Sequence, residues 1–226
     1  MKTKITILLA LALMLLAPMR AAQPEQAADK RPVAKKILFI GDSMTGWLAE
    51  RLESYGKQNG FEVSTVVWDG STIKKWGSTP RLTSIIREQD PDAIFVSLGM
   101  NELFEANPET RLRTSVDAIT GAAGEVPVVW VGPPSWPGHN KGEVLDNWLA
   151  ERLGDGHYFS SFDLKLPRQS ARNPHPTRAG MMTWMDEVVE WVQKEGAVRL
   201  PDANKPVGEQ MTRGKTFIYK RMKETL

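Results

Sequence analysis

Apolar residues along this chain fall into two alternating rhythms. Residues 36–40 (KILFI) form a short, near-continuous apolar run stopped by Gly41. Runs of this kind mark strands buried on both faces. Residues 45–58 then carry Trp47, Leu48, Leu52 and Tyr55 at helical spacing, with Gly60 as the stop. The alternation continues. Residues 62–68 (EVSTVVW) predict a second strand, and 80–89 a helix with Leu82, Ile85 and Ile86 on one face. Residues 93–98 (AIFVSL) predict a third strand, and 108–123 a helix aligning Leu112, Val116 and Ile119. A fourth strand at 126–131 (VPVVWV) ends at Gly132-Pro133-Pro134, and a helix follows at 143–153. A weaker fifth strand at 157–162 precedes an amphipathic helix at 177–194 carrying Met181, Trp184, Val188 and Trp191. No internal repeat is present. Strands alternating with helices of this length predict βαβ units, hence an α/β fold with a parallel sheet covered on both faces. Ligands in such sheets sit beyond the carboxyl ends of the strands, where strand order reverses.

The two ends break the alternation. Lys2 and Lys4 precede an apolar run over residues 5–17, closed by Pro18 and followed by Ala21-Ala22. A basic start, a short apolar core and small residues read as a signal peptide over residues 1–22. The run is short for a membrane-spanning helix, which takes about 20 residues. Export to the periplasm or the medium is therefore expected, with no stable membrane insertion after cleavage. Residues 23–35 (QPEQAADKRPVAK) are polar with two prolines and read as a linker. Residues 36–196 make the expected domain. Residues 197–226 are rich in Lys, Arg, Pro and Gly and read as an extended basic tail, with Phe217-Ile218-Tyr219 available to pack on the domain.

Composition narrows the chemistry. The absence of cysteine excludes disulfides, thiol catalysis and cysteine-ligated metals. Three scattered histidines show no ligand spacing, so neither a metal nor any other cofactor is expected. A net charge of +2 gives no case for nucleic acid.

Four segments lie where an α/β sheet places its site. Gly41-Asp42-Ser43 follows the first strand, and Asp69-Gly70-Ser71 the second. Gly99-Met100-Asn101-Glu102 follows the third, and His175-Pro176-Thr177 enters the last helix. Alone, the first three read as turns, with Asp42 or Ser43 capping the next helix, and the histidine reads as structural. Together they offer a hydroxyl, glycine amides, a carboxamide and an imidazole, the groups that acyl transfer needs as nucleophile, oxyanion donors and base.

In order and spacing these blocks resemble the SGNH (GDSL-like) hydrolases over roughly residues 36–195. Gly41-Asp42-Ser43 matches the first block, Gly70 the second, Gly99-Met100-Asn101 the third, and Asn173-Pro174-His175-Pro176-Thr177 the last. The resemblance implies a three-layer α/β/α, flavodoxin-like fold with a five-stranded parallel sheet. It implies Ser43 as nucleophile, His175 as base, and the Ser43 and Gly70 amides with the Asn101 side chain as oxyanion hole. Two positions depart from the family pattern. Glu102 stands where an aspartate is usual, a mild change. Arg172 stands where the family places the aspartate that orients the histidine, and arginine has no acceptor for the Nδ1 proton. A backbone carbonyl is the favoured substitute. A carboxylate such as Asp163, or a weakened or inactive enzyme, are the other readings.

Eight tryptophans bear on the substrate. Trp47, Trp130, Trp148, Trp184 and Trp191 fall on expected elements and read as core. Trp76 and Trp136 fall in expected loops near the site, where a ring could face a sugar. His157 reads as structural and His139 as a solvated loop residue. The expectation is an exported serine esterase removing acetyl or other short acyl groups from a glycan or other small acylated substrate. A glycan O-acyltransferase using the same residues and an inactive carbohydrate-binding domain remain alternatives.

Overall fold

The structure, a computed structural model, describes residues 29–136 and 142–219. The expected signal peptide, His139 and the last seven residues lie outside them. The strands are β1 (Lys36–Gly41), β2 (Glu62–Trp68), β3 (Ala93–Ser97), β4 (Val128–Val131), β5 (Tyr158–Phe159) and β6 (Lys215–Tyr219). The helices are α1 (Thr45–Asn59), α2 (Ile73–Ser78), α3 (Arg81–Gln89), α4 (Pro108–Ala123), α5 (Glu143–Leu153) and α6 (Arg178–Lys194). The strands form one sheet in the order β5-β4-β3-β1-β2-β6, parallel throughout. The chain starts in the middle, builds to β2 on one side, then crosses to β3, β4 and β5 on the other. Strand order therefore reverses beside β1, and the residues after β1 and β3 flank the crevice where such sheets bind ligands.

Burial follows from the two-residue period of a strand. Ile37 and Phe39 of β1 face the layer of α1 and α6, packing with Leu48, Leu52, Met181, Trp184 and Val188. Leu38 and Ile40 face the opposite layer with Ile85, Leu112, Val116 and Leu149. Every residue of β1 after Lys36 is buried, as its unbroken apolar run requires. The β1 exit needs a glycine. A Cβ on Gly41 would lie 2.1 Å from the Ser97 carbonyl oxygen of neighbouring β3.

Three departures from the sequence expectation have clear causes. The segment after residue 197 is not a free tail. It runs along α1, where the buried Arg51 guanidinium donates to the carbonyls of Pro206, Gly208 and Gln210 and pairs with Asp186 at 2.8 Å. It then adds β6 beside β2, so the five expected parallel strands gain a sixth. At the other end, Arg31 of the expected linker donates to the carbonyls of Val192, Gln193 and Gly196, where α6 ends. The last carbonyls of a helix lack partners within it, and a basic side chain satisfies them. The compact unit thus starts at Arg31. Finally, α2 is a short helix where the sequence predicts a loop. Thr72 caps it by accepting the Lys75 N–H at 3.1 Å.

Candidate active site

β1 delivers Ser43 to the carboxyl edge of the sheet through a tight turn. Asp42 lies beneath it, 1% exposed, and its Oδ1 accepts the Met44 N–H at 2.9 Å. His175 arrives from the opposite direction, two residues before Thr177 caps α6 by accepting the Gly180 N–H. The two meet: Ser43 Oγ is 2.8 Å from His175 Nε2. Hydrogen-bonded geometry of this kind between a hydroxyl and an imidazole is the mark of an activated nucleophile.

The tautomer can be derived. Asn173 Oδ1 lies 3.0 Å from the His175 backbone nitrogen and 3.2 Å from His175 Nδ1. A backbone N–H only donates, so the Asn173 atom facing it is the carboxamide oxygen. That same oxygen faces Nδ1, so Nδ1 carries the proton and Nε2 is left to accept from Ser43. Burial holds the His175 imidazole below its ordinary pKa, opposed by the nearby Asp69 carboxylate. The ring is therefore neutral, as a general base must be, through the neutral range.

This answers the Arg172 departure differently from the sequence expectation. The acceptor is neither a main-chain carbonyl nor Asp163, which is exposed on the surface. It is the side chain of Asn173, two residues before the histidine. Asparagine bonds its own backbone two residues on more readily than most side chains do, and Asn-Pro-His uses that turn to fix the ring. Arg172 itself is exposed. The loop carrying His175 is braced by a residue the sequence reading missed. Half-buried Arg168 donates Nε to Pro174 O at 3.2 Å and Nη2 to Ser135 O at 2.8 Å. Its guanidinium ties the histidine loop to the exit of β4, and nothing in the local sequence pattern announces it.

The candidate oxyanion donors converge on the same edge. The Ser43 and Gly70 amides have no hydrogen-bond acceptor among the described residues. Gly70 has φ 66° and open space where a Cβ would stand, so its conformation, not crowding, selects glycine. Asn101 sits on a 3₁₀ turn after β3. Its Nδ2 donates to Ser71 O at 2.6 Å and lies 3.4 Å from Asp42 Oδ2, the latter beyond ordinary N–H···O length. Asn101 thus joins the Ser43 and Gly70 loops, with one hydrogen only weakly engaged. Next to it, Glu102 Oε1 accepts the Ile73 N–H at the start of α2 at 2.7 Å. Burial pushes both carboxyls up, Asp42 to about 7 and Glu102 to about 7.

The tryptophans redistribute. Trp76 is 1% exposed, lies edge-on to Trp68, and donates to Ser71 Oγ at 2.9 Å. It is a wall behind the Gly70 turn and offers no face to a sugar. Trp136 stacks on Phe104 and donates to Ala171 O at 2.7 Å, linking the β4 exit to the histidine loop. Trp47, expected in the core, is 43% exposed and lines the cleft that holds Ser43 and His175. His157 Nδ1 donates to Val128 O at 2.7 Å and is structural, as expected. Among the described residues no cluster could hold a metal ion. No helix of those residues is long and apolar enough to cross a membrane.

No family model matches the chain, and no curated protein matches it. Solved structures do. A protein of the G-D-S-L lipolytic family from Desulfitobacterium hafniense DCB-2 is 15% identical, with a TM-score of 0.50 over 68% of this chain and 97% of its own. The psychrotrophic esterase EstA from Pseudoalteromonas sp. is 17% identical, with a TM-score of 0.53 over 71% of this chain and 97% of its own. An acetyl esterase is 12% identical, with a TM-score of 0.50 over 70% of this chain and 98% of its own. The chain therefore has the three-layer α/β/α fold of the SGNH hydrolases.

Proposed function

We propose that this protein is an exported serine esterase of the SGNH type that removes acetyl or other short acyl groups from a carbohydrate. The observation that carries the reading is the Ser43 Oγ–His175 Nε2 contact at 2.8 Å, with Nδ1 held by Asn173. Ser43 Oγ attacks the ester carbonyl while its proton passes to His175 Nε2. The carbonyl oxygen takes up the charge among the Ser43 and Gly70 amides and Asn101. The C–O bond to the alcohol then breaks, and the His175 proton leaves with the alcohol. Water, deprotonated by His175, attacks the acyl-serine, releasing the acid and restoring Ser43.

Several features support the finer parts. The cleft at the Ser43–His175 pair measures about 320 Å³, at the small end of ligand sites, which favours a short acyl group. One exposed aromatic ring, that of Trp47, lines it, as carbohydrate recognition uses. Esterases share the fold. The apolar run after Lys2 and Lys4 supports export.

Ser43→Ala tests the mechanism. The variant should melt like the wild type and lose hydrolysis of p-nitrophenyl acetate down to background, a loss of up to about 10⁶ in kcat for a removed serine nucleophile. Wild-type turnover in the variant refutes the assignment.

A further inference from the structure

Trp47 stands out on its helix. Thr45 and all residues from Leu48 to Gly56 are buried on α1, packed under α6 and the segment that follows it. Trp47 alone in that stretch of α1 is exposed, at 43%. The indole N–H has no acceptor among the described residues, and no aromatic ring among them stacks on it. Single exposed apolar side chains are common and need no cause. Position gives this one a cause. Trp47 is one helical turn beyond Ser43 and lines the same cleft as Ser43 and His175. Gln169 lines that cleft as well, with Asn173 against the His175 ring. The Gln169 carboxamide is exposed and has no hydrogen-bond partner among the described residues.

An aromatic face and an unengaged carboxamide lining one cleft match one ligand chemistry well. A pyranose ring has C–H groups on its faces, which favour an aromatic surface, and hydroxyls at its rim, which need donors and acceptors. A linear acyl chain would use the ring and leave the carboxamide unpaired. We infer that Trp47 is the platform on which the sugar ring of the substrate lies, with Gln169 at its hydroxyl rim, while the ester of that sugar meets Ser43. The inference rests on the esterase reading and names the residue that gives it carbohydrate selectivity.

The test compares three esters: glucose pentaacetate, ethyl acetate and ethyl octanoate. None has an aromatic ring of its own to stack on Trp47. Trp47→Ala should lower kcat/KM on glucose pentaacetate about tenfold more than on ethyl acetate, chiefly through KM, the size expected for losing an aromatic contact with its buried area. Trp47→Tyr should recover most of that selectivity, and the melting temperature should hold in both. Equal losses on both acetates, or no loss, overturn the inference. So does a larger loss on ethyl octanoate, which would make Trp47 an acyl-chain wall. A wild type inactive on all three esters refutes the esterase reading itself.

Discussion

Asn173 is the sharpest point of attack on the proposed mechanism. Its Oδ1 is the only acceptor within hydrogen-bond reach of His175 Nδ1 among the described residues, at 3.2 Å, and it also holds the His175 backbone N–H at 3.0 Å. Asn173→Ala removes both bonds. A neutral hydrogen bond contributes about 0.5–1.5 kcal/mol, and each 1.4 kcal/mol is a factor of ten. Losing the bond to the ring and the bond that shapes the turn therefore predicts a fall in kcat of roughly 10–100-fold. The fall stays short of the roughly 10⁴ that follows when a triad acceptor is replaced so that the wrong tautomer is imposed, because alanine imposes none. Asn173→Asp tests the converse. A carboxylate at the same place attracts the imidazolium that forms when Ser43 gives up its proton. At 4 Å and an effective dielectric near 20 that attraction is about 4 kcal/mol before desolvation of the new charge is subtracted. The His175 pKa, now held down by burial, should rise. The assay is the pH profile of kcat/KM on p-nitrophenyl acetate for the three proteins. The acid limb should lie below pH 6.5 in the wild type and move upward in Asn173→Asp, with kcat at pH 8 equal or higher. If Asn173→Ala keeps full turnover, or the acid limb of Asn173→Asp stays in place, Asn173 does not orient the base.

Two further outcomes follow from the same geometry. Burial raises Asp42 to about 7 and Glu102 to about 7, so the folded state binds protons that the unfolded chain has released. The stability these groups provide is full below pH 4 and is lost as pH rises towards 7, on the order of 4 kcal/mol for Asp42. The urea midpoint should fall from pH 5.5 to pH 8, and less steeply in Asp42→Asn; an equal slope in the variant contradicts the assignment. Arg168→Gln frees the carbonyls of Pro174 and Ser135, so it should lower kcat several-fold while lysine, a point charge without the guanidinium fork, restores it only in part. Full activity in Arg168→Gln would show that the histidine loop holds its shape without the brace.

The sequence determined a great deal by itself because its signals are periodic and local. The unbroken apolar run of β1 requires a strand buried on both faces, and the rhythm of strands and helices requires a parallel sheet. The blocks around Ser43, Gly70, Asn101 and His175 sit at strand exits, which is legible as soon as the strands are. Thr177, where helical spacing starts the last helix, is its cap in the structure. Helical spacing also contained the clue to Trp47, since Leu48, Leu52 and Tyr55 form the inward stripe and Trp47 lies about 100° away from it.

Tertiary structure decided what depends on residues far apart in the chain. A basic, proline-rich tail has no periodicity to betray that Arg51 will bind its carbonyls or that β2 offers a free edge for β6. Trp76 gave no sign of burial, because what covers it is the Gly70 turn and the packed α2 and α4. The acceptor for His175 is the most instructive case. Periodicity is silent about loops, and a family pattern points to the position of Arg172. Only the folded loop, braced by Arg168 from the exit of β4, puts Asn173 against the ring, since a hydrogen bond of 3.2 Å is set by where two segments are held.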